Sequence, residues 1–262
     1  MNGHWEGSEM QYRPSRLSYA SGPGPMTPAV RALLVVTTAG YLITLAVPGL
    51  VIRLGLVPAL VLERGWFWQP LTYLFQHGWL FHLVFNLLAL WMFGVDLERR
   101  WGTRFFVRYY AVTGAGAALT TIGVSLLPFG FSQAIYASVT VGASGAIYGL
   151  LVGYAMMYPD RPIYLYFLFP IRARVFVLIV GAISFLSSVS DPRGGVAHAT
   201  HLGGLVVGYL YLAWRRGGLG SALRSQWLRW RMARLRGRFD VRDGGRSGRG
   251  GRPGNGGGGW VH

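Results

Sequence analysis

The sequence predicts an all-α polytopic membrane protein, a bundle of six transmembrane helices. Three observations predict it. Apolar residues make up 52% of the 262-residue chain against 13% charged, and mean hydropathy is positive at +0.36, a membrane balance. Apolar runs that a bilayer-spanning helix could use recur six times. Arginines crowd alternate connections between those runs, as short cytoplasmic loops do.

The runs follow in order. Residues 1–28 mix Glu6, Glu9, Arg13 and Arg16 with Gly and Pro, lack a secretory apolar core, and are expected to form a disordered cytoplasmic tail. Thr27-Pro28 offers an N-cap and a first-turn proline for span one, Ala32 to Val47 with a loose extension to Ile52. Between Arg53 and Trp79, Trp66, Phe67, Trp68, Tyr73 and Phe75 accompany scattered charges, the composition of a loop lying at headgroup depth. Span two is Leu80 to Leu97, span three Phe105 to Leu127, and a charge-free stretch from Pro128 to Val141 follows. Span four starts at Ser144 and stops at Tyr158, span five is Val175 to Val189, and span six Ala197 to Trp214.

Arg99, Arg100, Arg104 and Arg108 lie between spans two and three, Arg161, Arg172 and Arg174 between four and five, and Arg215 onward after six. The alternate loops are nearly bare, so both termini are expected in the cytoplasm, with Ser144 and His201 towards the opposite face of a cell membrane. Fifteen residues of helix from Ser144 to Tyr158 rise only about 22 Å, against roughly 30 Å of hydrocarbon. Ser144 is therefore expected below the outer surface, where non-helical backbone must be surrounded by protein or a water-filled cavity.

Polar groups inside the spans carry the functional argument, because an ionisable side chain in hydrocarbon is costly and reads as functional by default. Ser144 opens span four; His198 and His201 lie in span six. Gly145, Gly149 and Gly153 make one face of span four smooth, and Gly204 and Gly208 do the same beside His201, so the two helices can approach closely. Such an approach brings imidazole and hydroxyl within hydrogen-bond reach, the arrangement of an activated nucleophile. In span two, Asn86 stands one turn after His82, with His77 five residues earlier. Amide and imidazole donors on one face suit an oxyanion hole, supplemented by the Ser144 backbone N–H at a helix N-terminus. No carboxylate is placed for a triad: Asp191 falls in an outer loop and Asp96 near the cytoplasmic end of span two, so a Ser-His dyad is the economical reading.

These residues resemble the rhomboid family of intramembrane serine proteases over roughly Leu33 to Trp214. His77, His82 and Asn86 in FQHGWLFHLVFN resemble its second-helix pattern, and Glu98, Arg100 and Gly102 its Glu-x-Arg turn after that helix. Gly142-Ala143-Ser144-Gly145 with Tyr148 resembles the nucleophile motif, and His201-Leu202-Gly203-Gly204 with Gly208 the base motif. The resemblance implies Ser144 as nucleophile, His201 as general base, His82 and Asn86 as oxyanion stabilisers, and Tyr148 packed on the His201 ring. It also implies a six-helix domain over residues 29–214, acting on peptide bonds in or beside transmembrane segments of other membrane proteins, and no cofactor. Glu98 and Arg100 would organise the loop after span one, while their charge places them at the cytoplasmic end of span two; helix-end pairing and longer-range support both stay open. The Trp-Arg dipeptide of many relatives is missing from the first loop.

His198, His201 and His82 could gather round zinc, but the chain has neither a His-Glu-x-x-His motif nor a membrane carboxylate to complete such a site, and no metal is expected. The tail at 215–262 holds twelve arginines interleaved with Trp227, Trp230, Leu235 and Phe239, then a glycine run. Arginine beside a cytoplasmic membrane face favours anionic lipid, so lipid rather than nucleic acid is its expected partner.

Overall fold

The computed structural model describes residues 23–128, 132–165, 169–190, 195–217, 227–229 and 232. Asp191, most of the expected N-terminal tail and most of the arginine-rich tail lie outside the described residues. Two compact units divide between Arg216 and Gly217, and nearly all described residues belong to the first.

Among the described residues, six long helices form that unit: α1 (Pro28–Ala46), α5 (Leu80–Trp101), α6 (Thr103–Ser125), α8 (Ser144–Met157), α9 (Ala173–Ser190) and α10 (Gly195–Arg215). Short helices α2 (Leu50–Leu54), α3 (Pro58–Arg64), α4 (Gln69–Thr72) and α7 (Ser132–Ala137) lie between them. By length and composition, α1 and α5 suffice to cross a membrane; α8 and residues 173–188 of α9 are apolar but shorter. One departure from the all-α expectation is a small antiparallel hairpin, β1 (Pro162–Leu165) with β2 (Phe169–Arg172), in register Pro162 to Arg172 and Leu165 to Phe169.

The bundle core collects Leu74, Leu90, Phe106, Tyr109, Ala146 and Leu150, all essentially inaccessible to solvent. Small residues set how closely the helices pack. A methyl group on Gly149 would press on Thr113 of α6, and one on Gly208 would lie 2.9 Å from the Gly149 Cα. Gly153, expected to continue the face towards α10, instead receives the Trp101 ring of α5, 2.7 Å from where a Cβ would stand. A helix turns 100° per residue, so glycines spaced by four drift round its axis and come to face different neighbours.

The segment between α1 and α5 differs most from expectation. The extension of the first span to Ile52 stops at Ala46, just before Pro48, and the loop expected from Arg53 to Trp79 is a folded series of short helices ending in a 3-10 turn, Tyr73–Phe75. Its own polar side chains satisfy its backbone. Gln69, fully buried, accepts from the Val57 N–H (2.9 Å) and donates to the Ile52 carbonyl (2.8 Å), while the Thr72 hydroxyl donates to the Leu54 carbonyl (2.6 Å). Buried peptide groups need such partners, and here side chains supply what a longer helix would have supplied internally. Tyr73 is no interfacial aromatic: it is completely buried and its hydroxyl donates to the Gly114 carbonyl (2.8 Å).

Glu98 settles where its motif acts. Helix α5 runs on to Trp101, so Glu98 and Arg100 stand in its last turn rather than in a turn after it. The Glu98 carboxylate accepts the Ala29 and Val30 N–H groups at 3.0 and 2.9 Å and the Thr103 hydroxyl at 2.6 Å. It therefore caps the start of α1, where helical N–H groups lack partners, and not the loop after α1. Thr27, the expected N-cap, makes no capping bond through its side chain. Arg100 does not reach that loop either; its guanidinium sits 5.9 Å over the Tyr158 ring beyond α8.

Candidate active site

The approach to Ser144 is held before the helix begins. Leu56 and Thr140 exchange backbone hydrogen bonds of 2.9 and 2.8 Å, and the Gly142 N–H donates to the Tyr73 carbonyl at 3.0 Å. Gly142 then adopts φ +122°, a conformation glycine takes without steric cost. A Cβ there would lie 2.7 Å from the His82 ring. Ala143 turns into helical geometry as the N-cap, its N–H donating to His77 Nε2 over 3.5 Å, and Ser144 becomes the first residue of α8. The first N–H groups of α8 are left without intrahelical acceptors at the end where Ser144 stands.

Across this helix start, α10 brings His201. Its Nε2 lies 2.8 Å from Ser144 Oγ. Close packing of α8 on α10 makes this possible, because Gly204 rests against the Gly145 carbonyl where any side chain would collide. The Tyr148 ring, one turn along α8, stacks on the imidazole with centroids 4.2 Å apart and planes 9° from parallel. His201 Nδ1 is buried without a hydrogen-bond partner, and among the described residues no carboxylate orients the ring from behind. Asp96 is engaged by Arg161 at 2.8 Å.

The third element is α5. His82 faces Gly142 and packs edge-on against His77, with ring centroids 4.9 Å apart. Asn86 is buried on the same helix, but its Nδ2 donates to the His82 carbonyl at 2.7 Å while its Oδ1 has no partner. One Nδ2 hydrogen remains for another acceptor. His198 stands one turn earlier on α10, its ring 6.1 Å from that of His201, and among the described residues no group of three or more potential ligands is gathered as a metal site.

Residues 64–217 match the family model described as the Rhomboid domain, more than half of the chain. The chain belongs to the rhomboid family. Rhomboid relatives include "Rhomboid protease GluP" of Bacillus subtilis (strain 168), 30% identical over 153 residues that cover 58% of this chain and 27% of the relative. "Rhomboid protein 1, mitochondrial" of Saccharomyces cerevisiae is 30% identical over 138 residues, 52% of this chain and 38% of the relative. "Rhomboid protease AarA" of Providencia stuartii is 28% identical over 164 residues, 58% of this chain and 56% of the relative. The rhomboid match thus spans less than two thirds of these relatives. Membership makes the chain a membrane-embedded, mostly helical protein.

Two contributors to this rhomboid site carried no signal in the sequence. Tyr73 holds the Gly142 N–H through a backbone carbonyl, which any residue type could present. Ser184 of α9 donates to the Tyr148 hydroxyl at 3.2 Å, and a lone serine in an apolar span has no spacing to mark it.

Proposed function

We propose that the protein is an intramembrane serine endopeptidase that hydrolyses peptide bonds in or beside the transmembrane segments of other membrane proteins. The 2.8 Å approach of His201 Nε2 to Ser144 Oγ carries this reading, supported by relatives named as rhomboid proteases. Ser144 Oγ attacks the carbonyl carbon as His201 takes its proton. The tetrahedral intermediate collapses to an acyl-enzyme when His201 returns that proton to the leaving amine, and water, deprotonated by the same imidazole, releases the new carboxylate. His82, the free hydrogen of Asn86 Nδ2 and the Ser144 N–H are the donors suited to the developing oxyanion. The Tyr148 ring holds the imidazole plane.

In this reading the domain occupies residues 29–214 with six membrane-spanning helices, α1, α5, α6, α8, α9 and α10, in the cell membrane. Both termini lie in the cytoplasm, the Ser144 cavity opens to the outer face, and the arginine-rich tail meets anionic lipid. Purified protein in liposomes is expected to cleave a labelled single-span reporter, with Ser144→Ala and His201→Ala each abolishing product. Cleavage that persists in both variants would remove the dyad. A parent that neither cleaves a panel of reporters nor reacts with a fluorophosphonate at Ser144 would favour a binding role for the same scaffold.

A further inference from the structure

Helix α9 borders the bundle, and its Leu178, Ile183, Phe185 and Leu186 are each more than half exposed. Its opposite side carries Ser184, which is 2% exposed. Among the described residues, Ser184 is the only α9 side chain beyond the first turn that hydrogen-bonds to another helix. Its acceptor is the hydroxyl of Tyr148, whose ring lies flat on His201. Four side chains from three helices are thereby connected in series: Ser184 on α9, Tyr148 on α8, His201 on α10 and Ser144 on α8.

Among the described residues His201 has no partner at Nδ1, the position whose hydrogen bond fixes an imidazole's orientation in a triad. The ring plane is set instead by contact with Tyr148 on one side and by the Ser144 hydroxyl at Nε2. A phenol ring pivots about its Cβ, and its far end is the oxygen. Anchoring that oxygen fixes where the ring axis points and so keeps the ring seated against the imidazole, whose stacking sets the plane, and a buried phenol without a partner would carry a desolvation cost.

We infer that Ser184 is a positioning residue: it tethers α9 to Tyr148 and through that ring holds His201 in line with Ser144. The orientation of the base then depends on where α9 sits, although α9 contributes no group to the reaction itself. This inference rests on the Ser144–His201 reading proposed above.

The test is a double-mutant cycle on the full-length protein in liposomes, with reporter cleavage and the rate of fluorophosphonate labelling of Ser144 both followed. Ser184→Ala is expected to lower kcat roughly tenfold with KM unchanged, because only the alignment of reacting groups is disturbed. Labelling should slow in the same proportion. Tyr148→Phe, which keeps the ring and removes the acceptor, should give a similar loss, and the double variant should be no worse than the poorer single one. Ser184→Thr restores the donor and should recover most of the rate. Additive losses, or a Ser184→Ala enzyme with parental kcat and labelling, would overturn the tether while leaving the dyad standing. A loss of thermal stability with kcat per folded molecule unchanged would also overturn it, reducing Ser184 to a packing role. A parent that neither cleaves nor labels would instead defeat the dyad, and this inference with it.

Discussion

Gly204 of α10 lies against the carbonyl oxygen of Gly145 of α8 with no room for a methyl group between them. The obstacle is backbone on both sides, so no side chain can rotate away to relieve it. This contact sets the spacing of α8 and α10 one turn below the 2.8 Å Ser144–His201 approach.

Gly204→Ala should therefore force the two helices apart. Overpacking a well-filled interior costs typically 1–3 kcal/mol, and even a 1 Å displacement of a reacting group can cost about a hundredfold in rate. The expected outcome is a lower unfolding midpoint in detergent together with a loss of Ser144 labelling far larger than the loss of folded protein. Parental labelling by the alanine variant would mean that this contact does not set the distance.

Gly142 should be more sensitive than packing positions such as Gly145, because backbone strain there adds to a steric collision that both share. Its φ of +122° is a conformation that side-chain-bearing residues rarely adopt, and a Cβ would meet the His82 ring at 2.7 Å. Strain of this kind costs about 1–3 kcal/mol, and it falls on the turn that presents Ser144. Gly142→Ala is expected to reduce reporter cleavage by at least about a hundredfold. Combining it with His82→Ala should remove the collision but not the strain, so the melting point should recover only in part. Full recovery would assign the whole effect to His82.

How much of this was legible in the sequence depends on the range of the interaction. Apolar runs locate α5, α6, α8, α9 and α10 to within a few residues, because each is decided by its own composition and by local breakers such as Pro159. The approach of α8 and α10 was readable because Gly145, Gly204 and Gly208 leave a recognisable smooth face. The partners of Glu98 were not readable. They lie 69 and 68 residues earlier and are peptide N–H groups, which every residue but proline possesses. The folded segment from α2 to the 3-10 turn was hidden for a similar reason. Gln69, Thr72 and Trp68 serve its backbone across 12 to 18 residues, and their polarity reads equally well as exposure.

Glu98 yields a stability prediction. Two peptide N–H groups and a hydroxyl converge on one buried carboxylate, and the α1 N-terminus adds a favourable dipole. Hydrogen bonds to charged groups contribute about 1.5–3 kcal/mol. Glu98→Gln keeps one acceptor oxygen and should lose roughly 1–3 kcal/mol of unfolding free energy, while Glu98→Ala should lose more because it leaves the N–H groups unpaired. Denaturant titration of α1 tryptic accessibility provides the measurement, since α1 should detach first. Gln and Ala variants as stable as the parent would show that the charge and the hydrogen bonds are dispensable.

His77 yields a pH prediction with a definite sign. It stands before α5, its side chain is buried, and its Nε2 accepts the Ala143 N–H, a role open only to the neutral ring. Burial first, and then the neighbouring His82, push it from the usual 6.5 down to about 3. As pH falls below 6.5 the unfolded chain takes up a proton at this residue and the folded protein does not, so stability falls with falling pH until about pH 3. The slope from this one group is about 1.4 kcal/mol per pH unit at most. His77→Gln, which cannot titrate, should unfold earlier than the parent at pH 7.5 because the Ala143 contact is weakened, yet show a shallower decline towards pH 4.5. Thermal unfolding of both proteins across that range decides it. Parallel curves would mean that His77 is protonated in the folded state and that its hydrogen bond to Ala143 does not persist.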